Sequence, residues 1–170
     1  MAESRHQTYM LDTNVFNDVL DGKILPTLLA GHRLFVTGVQ ASELRATKKT
    51  ERRESLLTIF KDIAPTSLLA SSFAFDIEGA GFDQAYWNDG SGNFDKMLAR
   101  LQTLDHKNKE CPNQSRDILI AETAIKNGAI LVSGDHNLRQ VVSEFGGRAM
   151  SWNDLPCFIN GEPETRREGP

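Results

Sequence analysis

Short apolar runs alternate with longer amphipathic stretches along this chain, and the alternation sets its expected architecture. Residues 8–12, TYMLD, form an apolar run that ends in a carboxylate, as a strand does where it leaves a sheet. Val15, Phe16, Val19 and Leu20 then recur at helical spacing until Asp21 and Gly22 break the pattern. Ile24, Leu25, Leu28 and Leu29 return to helical spacing, with Pro26 suited to a first turn. Residues 34–37, LFVT, are a second strand candidate. A helix is expected from Val39 past Glu43 and Leu44 into the basic segment beyond, and another over residues 51–61, closed by Pro65.

The middle of the chain is less regular. Residues 67–78 are apolar and serine-rich, and predict a helix. Turn-forming residues dominate between Gly79 and Gly92, and a helix over 94–104 follows through Phe94, Met97, Leu98, Leu101 and Leu104. His106 to Pro112 reads as a polar linker. Ser115 can cap a helix whose apolar face is Ile118, Leu119, Ala121, Ala124 and Ile125, ended by Gly128. Residues 129–132, AILV, are apolar throughout, which suits the centre of a parallel sheet. A helix through Leu138, Val141, Val142 and Phe145 stops at Gly146 and Gly147, before a short strand over 148–152. The last ten residues, GEPETRREGP, have almost no apolar content and predict a flexible tail over 161–170.

Strands alternating with helices predict a three-layer α/β/α fold with a central, mainly parallel sheet. At 170 residues the chain suffices for one domain, expected over residues 1–160. No stretch approaches the ~20 apolar residues of a membrane span. The start, MAESRHQTY, lacks a signal-type apolar segment, so a cytoplasmic location is expected. A formal net charge of −4 argues against a broad, non-specific DNA coat but is compatible with an acidic metal site. Cys111 and Cys157 form no CxxC pair and have no histidine at finger spacing, so ordinary thiols are expected.

Four carboxylates attract attention, and each has a plain structural reading beside the functional one. Asp12 follows an apolar strand and suits a helix cap or a metal ligand, with Thr13 and Asn14 as further caps or as donors that hold its carboxylate. Glu43, in VQASELRA, is a solvent-facing helical residue or a member of a site at the buried edge of its helix. Asp117 complements the dipole of the Ser115 helix, or uses that helix as a rigid mount. Asp135, in SGD after AILV, is a turn residue or a ligand, with Ser133 and Asn137 supplying oxygen nearby. Asp12 and Asp135 both stand at the carboxyl ends of strands, where ligands gather in open α/β sheets. Oxygen ligands without thiolates or paired histidines suit Mg²⁺ or Mn²⁺ rather than zinc, and such ions offset the repulsion between gathered carboxylates.

The pieces YMLDTNVF, ASEL, SRDILIAETAIKNG and ILVSGDHNL, in that order, resemble the PIN-domain ribonucleases, and in particular the VapC-type toxins of bacterial toxin–antitoxin pairs. The resemblance spans about residues 8–152. It implies that Asp12, Glu43, Asp117 and Asp135 form the acidic, metal-binding catalytic set. Asn137 would stand where the family often places a further acidic or polar residue, and Thr13, Asn14 and Ser133 would support the geometry. It also implies metal-dependent endoribonuclease activity, with tRNA or ribosomal RNA as common toxin targets, a cognate antitoxin covering the cleft, and a homodimer. Compact toxin members are shorter, and the extra material here falls at residues 79–112, expected to be a helical elaboration. A housekeeping RNA-processing nuclease and a catalytically quiet PIN-like binding module are the alternatives.

Arg45, Lys48, Lys49, Arg52 and Arg53 make the clearest basic cluster. They are either a solvated helix face paired with Glu51 and Glu54, a phosphate-contacting rim near Glu43, or an antitoxin contact. His136 is expected to bond locally and to stay outside the catalytic set. Phe82, Tyr86 and Trp87 are expected in core or dimer packing rather than in base stacking.

Overall fold

In the computed structural model, which describes residues 7–63, 65–70, 77–80, 93–106, 112–155, 158–159 and 162–163, five short strands form one parallel sheet. They are β1 (Thr8–Leu11), β2 (Arg33–Thr37), β3 (Thr66–Leu68), β4 (Ile130–Val132) and β5 (Arg148–Met150), in the order β3-β2-β1-β4-β5. The chain builds outward from β1 to β2 and β3, then returns to the other side of β1 for β4 and β5. The order therefore reverses between β1 and β4, the position at which open α/β sheets place a ligand crevice beyond the strand ends.

Alternation along the strands divides the core in two. Met10, Phe35 and Leu131 point to one face, where they pack with Met97, Leu98 and Leu101 of α4 (Asn93–Leu104), Ile118 and Leu119 of α5 (Pro112–Lys126), and Leu138 and Val141 of α6 (His136–Glu144). Tyr9, Leu11, Leu34, Val36, Ile130 and Val132 point to the other, against Val15 and Phe16 of α1 (Thr13–Leu20) and Leu56 of α3 (Thr50–Ile63). The result is the expected three-layer α/β/α arrangement with a parallel central sheet.

The helix α2 (Gly38–Arg45) belongs to both faces: Val39 joins the first cluster and Leu44 the second. Its start is locked by Thr37 and Gln40. Gln40 Oε1 accepts from the Thr37 N–H at 2.8 Å and from the Thr37 hydroxyl at 2.5 Å, while its Nε2 donates to the Leu11 carbonyl at 2.7 Å. A helix cap is thus tied directly to the end of β1.

Several expected boundaries shift. Residues 66–68 pair with β2 as an edge strand instead of beginning a helix, because the ladder with Phe35, Val36 and Thr37 satisfies their backbone. Residues 71–76 lie outside the described set. Only Pro26–Leu28 forms a turn of 3₁₀ helix; the helical spacing there marks Ile24 and Leu29, which are buried, while Leu25 is 64% exposed. The helix through Glu43 ends at Arg45, and a turn precedes α3. Helix α5 begins at Pro112, whose missing N–H costs nothing in a first turn, so Ser115 lies inside the helix and does not cap it. Within the expected tail, Glu162–Pro163 (β7) pairs antiparallel with Phe158–Ile159 (β6). Helix α4 falls inside the expected elaboration at 79–112, of which residues 81–92 and 107–111 lie outside the described set, as do Phe82, Tyr86, Trp87, Cys111 and Cys157. No helix among the described residues is long and apolar enough to cross a membrane.

Candidate metal centre

The acidic side chains gather near the carboxyl ends of β1 and β4, close enough for the charges of Asp12, Glu43 and Asp135 to act on Asp117. The Asp12 N–H donates to the Val132 carbonyl at 3.0 Å, which carries the pairing of Leu11 with Val132 one residue past the strand. Asp12 is consequently buried, at 3% exposure. Its Oδ1 accepts from the Thr13 N–H at 2.7 Å, and its Oδ2 accepts from the Asn14 amide at 2.7 Å and the Ser133 hydroxyl at 2.5 Å. The cap reading of Asp12 is correct, and the same bonds fix its carboxylate at the end of β1.

Ser133 and Asn14 join the two strand ends. The Ser133 oxygen accepts from the Asp135 N–H at 3.0 Å and from the Asn14 amide at 3.2 Å, and Asn14 Oδ1 accepts from the Gly134 N–H at 3.2 Å. Asp135 caps α6 through Oδ1, which accepts from the Leu138 N–H at 3.1 Å. Arg139 steadies the same turn by donating to the Ser133 carbonyl at 2.7 Å. Glu43 enters from α2, where its Oε2 accepts from the Thr13 hydroxyl. Asp117 enters from the first turns of α5.

Electrostatics tie the four acids into one group. Burial, joined by the charges of Asp12, Glu43, Asp135 and Asp105, pushes the Asp117 carboxyl up to about 8. Burial likewise raises Asp12 to about 6, against the lowering pull of the Ser133 and Thr13 bonds, with Glu43 and Asp135 raising it further. Burial raises Glu43, opposed by the Thr13 bond and the charge of Arg116. Among the described residues, Arg116 is the one cation whose charge registers on any of these three raised acids.

The Asn137 amide donates to Asp105 Oδ1 at 2.8 Å, and Gln114 donates to Asp105 Oδ2 at 2.6 Å. Asp105 was missed in the sequence because it ends α4 next to what looks like a linker. Gln40 was also missed, although Thr37-x-x-Gln40 is a capping-box signal. Of the basic cluster, Arg45, Lys48 and Lys49 are exposed. Arg52 is committed to Asp21 at 2.8 Å and Asn17 at 2.9 Å, and Arg53 reaches the Thr47 carbonyl at 3.4 Å. His136 is exposed at the start of α6.

No family model matches the sequence, and no curated protein matches it. Solved structures do match. The 2.2 Å structure of VapBC-1 from nontypeable Haemophilus influenzae aligns with a TM-score of 0.52 at 17% identity, over 86% of this chain and 99% of that one. The chain shares the α/β fold of that structure. Two further matches are VapBC2 from Rickettsia felis bound to a promoter DNA fragment (TM-score 0.45, 20% identity, 86% and 99% of the two chains) and VapBC-5 from Mycobacterium tuberculosis (0.42, 20%, 85% and 96%). The fold likeness rests on VapBC-1.

On this scaffold the four carboxylates offer oxygen donors, the chemistry a hard divalent ion takes. All four acids present oxygen, three are raised by burial, and among the described residues Arg116 is the one cation whose charge opposes a raised acid. Among the described residues, no three His, Cys, Asp or Glu side chains are placed so that together they could hold a metal ion.

Proposed function

We propose that the protein is a Mg²⁺- or Mn²⁺-dependent endoribonuclease that hydrolyses RNA phosphodiester bonds, and that it is the toxin of a toxin–antitoxin pair. One observation carries this reading: Asp12, Glu43 and Asp117, from three different elements, are pushed up together at the switch point of the parallel sheet. Asp12, Asp117 and Asp135 would hold the principal ion, and Glu43 would help hold a second ion or orient the attacking water. Bound there, the ion supplies Lewis acidity that activates water near neutral pH and stabilises the leaving oxygen.

The chain's own residues do the positioning. Ser133 and Asn14 orient the Asp12 carboxylate, Thr13 holds Glu43, and Gln40 fixes α2 against the end of β1. In-line attack by water leaves a 5′-phosphate and a 3′-hydroxyl. Arg45, Lys48 and Lys49, exposed beyond Glu43, are suited to the RNA backbone. Arg52 takes no part in that rim, since it anchors α3 to α1. A cognate antitoxin and a homodimer complete the proposal, in keeping with the likeness to a chain of VapBC-1.

The test is RNA cleavage with Mg²⁺ or Mn²⁺, repeated with EDTA and with Asp117→Asn. Cleavage that requires the ion and is lost in the variant supports the reading. Cleavage that survives Asp117→Asn overturns the site. Growth arrest on expression, relieved by Asp12→Asn and by a neighbouring small open reading frame, separates a toxin from a housekeeping nuclease.

A further inference from the structure

Adjoining the four acids is a cavity of about 130 Å³ lined by Ser42, Glu43, Ala46, Glu78 and Arg116. Glu43 belongs to both places, so whatever fills the cavity lies one side chain from the reacting region. The volume is far below the roughly 300 Å³ at which clefts begin to enclose a drug-sized ligand, and suits a single base rather than a whole nucleotide.

Glu78 is presented there by a rigid strap. Ile77 and Ala80, which flank it at one and two residues, are buried in the core, at 7% and 0% exposure. Between them Gly79 has φ +93° and lies against the start of α2, where an added Cβ would stand 2.2 Å from the Gly38 carbonyl carbon. These contacts fix the backbone that carries Glu78 to the cavity wall. Arg116, next to Asp117 on α5, opposes the charge of Glu43 and donates to Asn113 Oδ1 at 3.2 Å.

A carboxylate beside the path of a polyanion is repulsive unless the substrate offers it donors. Among the RNA bases, guanine alone presents two adjacent donors, N1–H and the N2 amino group, that one carboxylate can accept together. A guanidinium beside it suits a phosphate. We propose that this cavity is a base-specific subsite that seats a guanine beside the scissile phosphate, with Glu78 accepting from its Watson–Crick edge and Arg116 binding the adjoining phosphate. The proposal rests on the nuclease reading and gives it a substrate preference.

The test uses the full chain with EDTA present, so that it reads binding and not turnover. Backbone NMR titrations with 5′-GMP, 5′-IMP and 5′-AMP should show GMP bound about tenfold or more tightly than AMP, with IMP, which lacks the N2 amino group, in between. Glu78→Gln, nearly isosteric and at an exposed position, should abolish that ranking. Arg116→Ala should weaken all three alike. Equal affinities, or an unchanged ranking in Glu78→Gln, would overturn the subsite; so would tighter binding of arginine amide than of GMP, which would mark the cavity as a seat for a protein side chain. A second arm maps cuts in oligoribonucleotides with Mg²⁺. Guanine-selective binding without any cutting keeps the subsite and sinks the nuclease reading, whereas metal-dependent cutting with no base ranking does the reverse.

Discussion

The Ser133 hydroxyl donates to Asp12 Oδ2 at 2.5 Å across the seam between β4 and β1. Two residues 121 positions apart thereby share one bond at the point where the sheet reverses its order. The bond favours the ionised form of a carboxyl that burial would otherwise neutralise, so it prepares an anion in a place hostile to one.

Ser133→Ala should therefore act on Asp12 without touching its side chain. A hydrogen bond to a charged group is worth roughly 1.5–3 kcal/mol, and the Asp135 N–H and the Asn14 amide lose an acceptor as well. Calorimetric titration with Mn²⁺ should show an affinity about 10–100-fold weaker than in the parent. Unchanged titration would mean that the hydroxyl does not orient a ligand.

Stability without metal should decline as pH rises. Asp12 and Asp117 have folded-state values above their unfolded ones, so between the ordinary carboxylate range and about 8 the native state binds more protons than the unfolded state. Stability falls with pH wherever that holds. Urea unfolding in EDTA across this window should show the decline, and Asp117→Asn should flatten most of its upper part. Saturating Mg²⁺ should oppose it, because ion binding favours the ionised acids.

Gln40→Leu should destabilise the fold while leaving every acid in the sequence intact. It strips a donor from the Leu11 carbonyl and an acceptor from the Thr37 N–H, both buried, at a cost of roughly 2–4 kcal/mol. Urea midpoints measure this. A midpoint equal to the parent's would show that α2 does not depend on its tie to β1.

Lys48→Glu with Lys49→Glu should weaken RNA association, with a shallower dependence on salt and nearly unchanged metal titration. Electrophoretic or fluorescence binding at several salt concentrations supplies the readout. Adding Arg52→Glu is expected to cost stability instead, since Arg52 holds Asp21 and Asn17.

Gly79→Ala meets both a positive φ and the backbone of Gly38. Strain of this kind costs on the order of 1–3 kcal/mol before the clash is relieved by moving the strap. Thermal unfolding should register the loss, whereas Glu78→Gln next to it should not.

Periodicity alone was enough for the parallel core, because β1 and β4 are short apolar runs and α1, α4, α5 and α6 carry strong apolar faces. Strand-end placement and the motif pieces singled out Asp12, Glu43, Asp117 and Asp135, and local chemistry already marked Asp12 as a cap and Asp135 as a turn residue. Pairing and reach were decided elsewhere. The edge strand at 66–68 exists only because β2 offers a ladder, and Arg52 is removed from the basic rim only because α1 lies within its reach. Asp105 and Glu78 enter the neighbourhood of the acids through packing between distant segments, and Asn137 turns toward Asp105 for the same reason. Short-range order is written in neighbouring residues, whereas the company a charge keeps depends on which distant backbone folds against it.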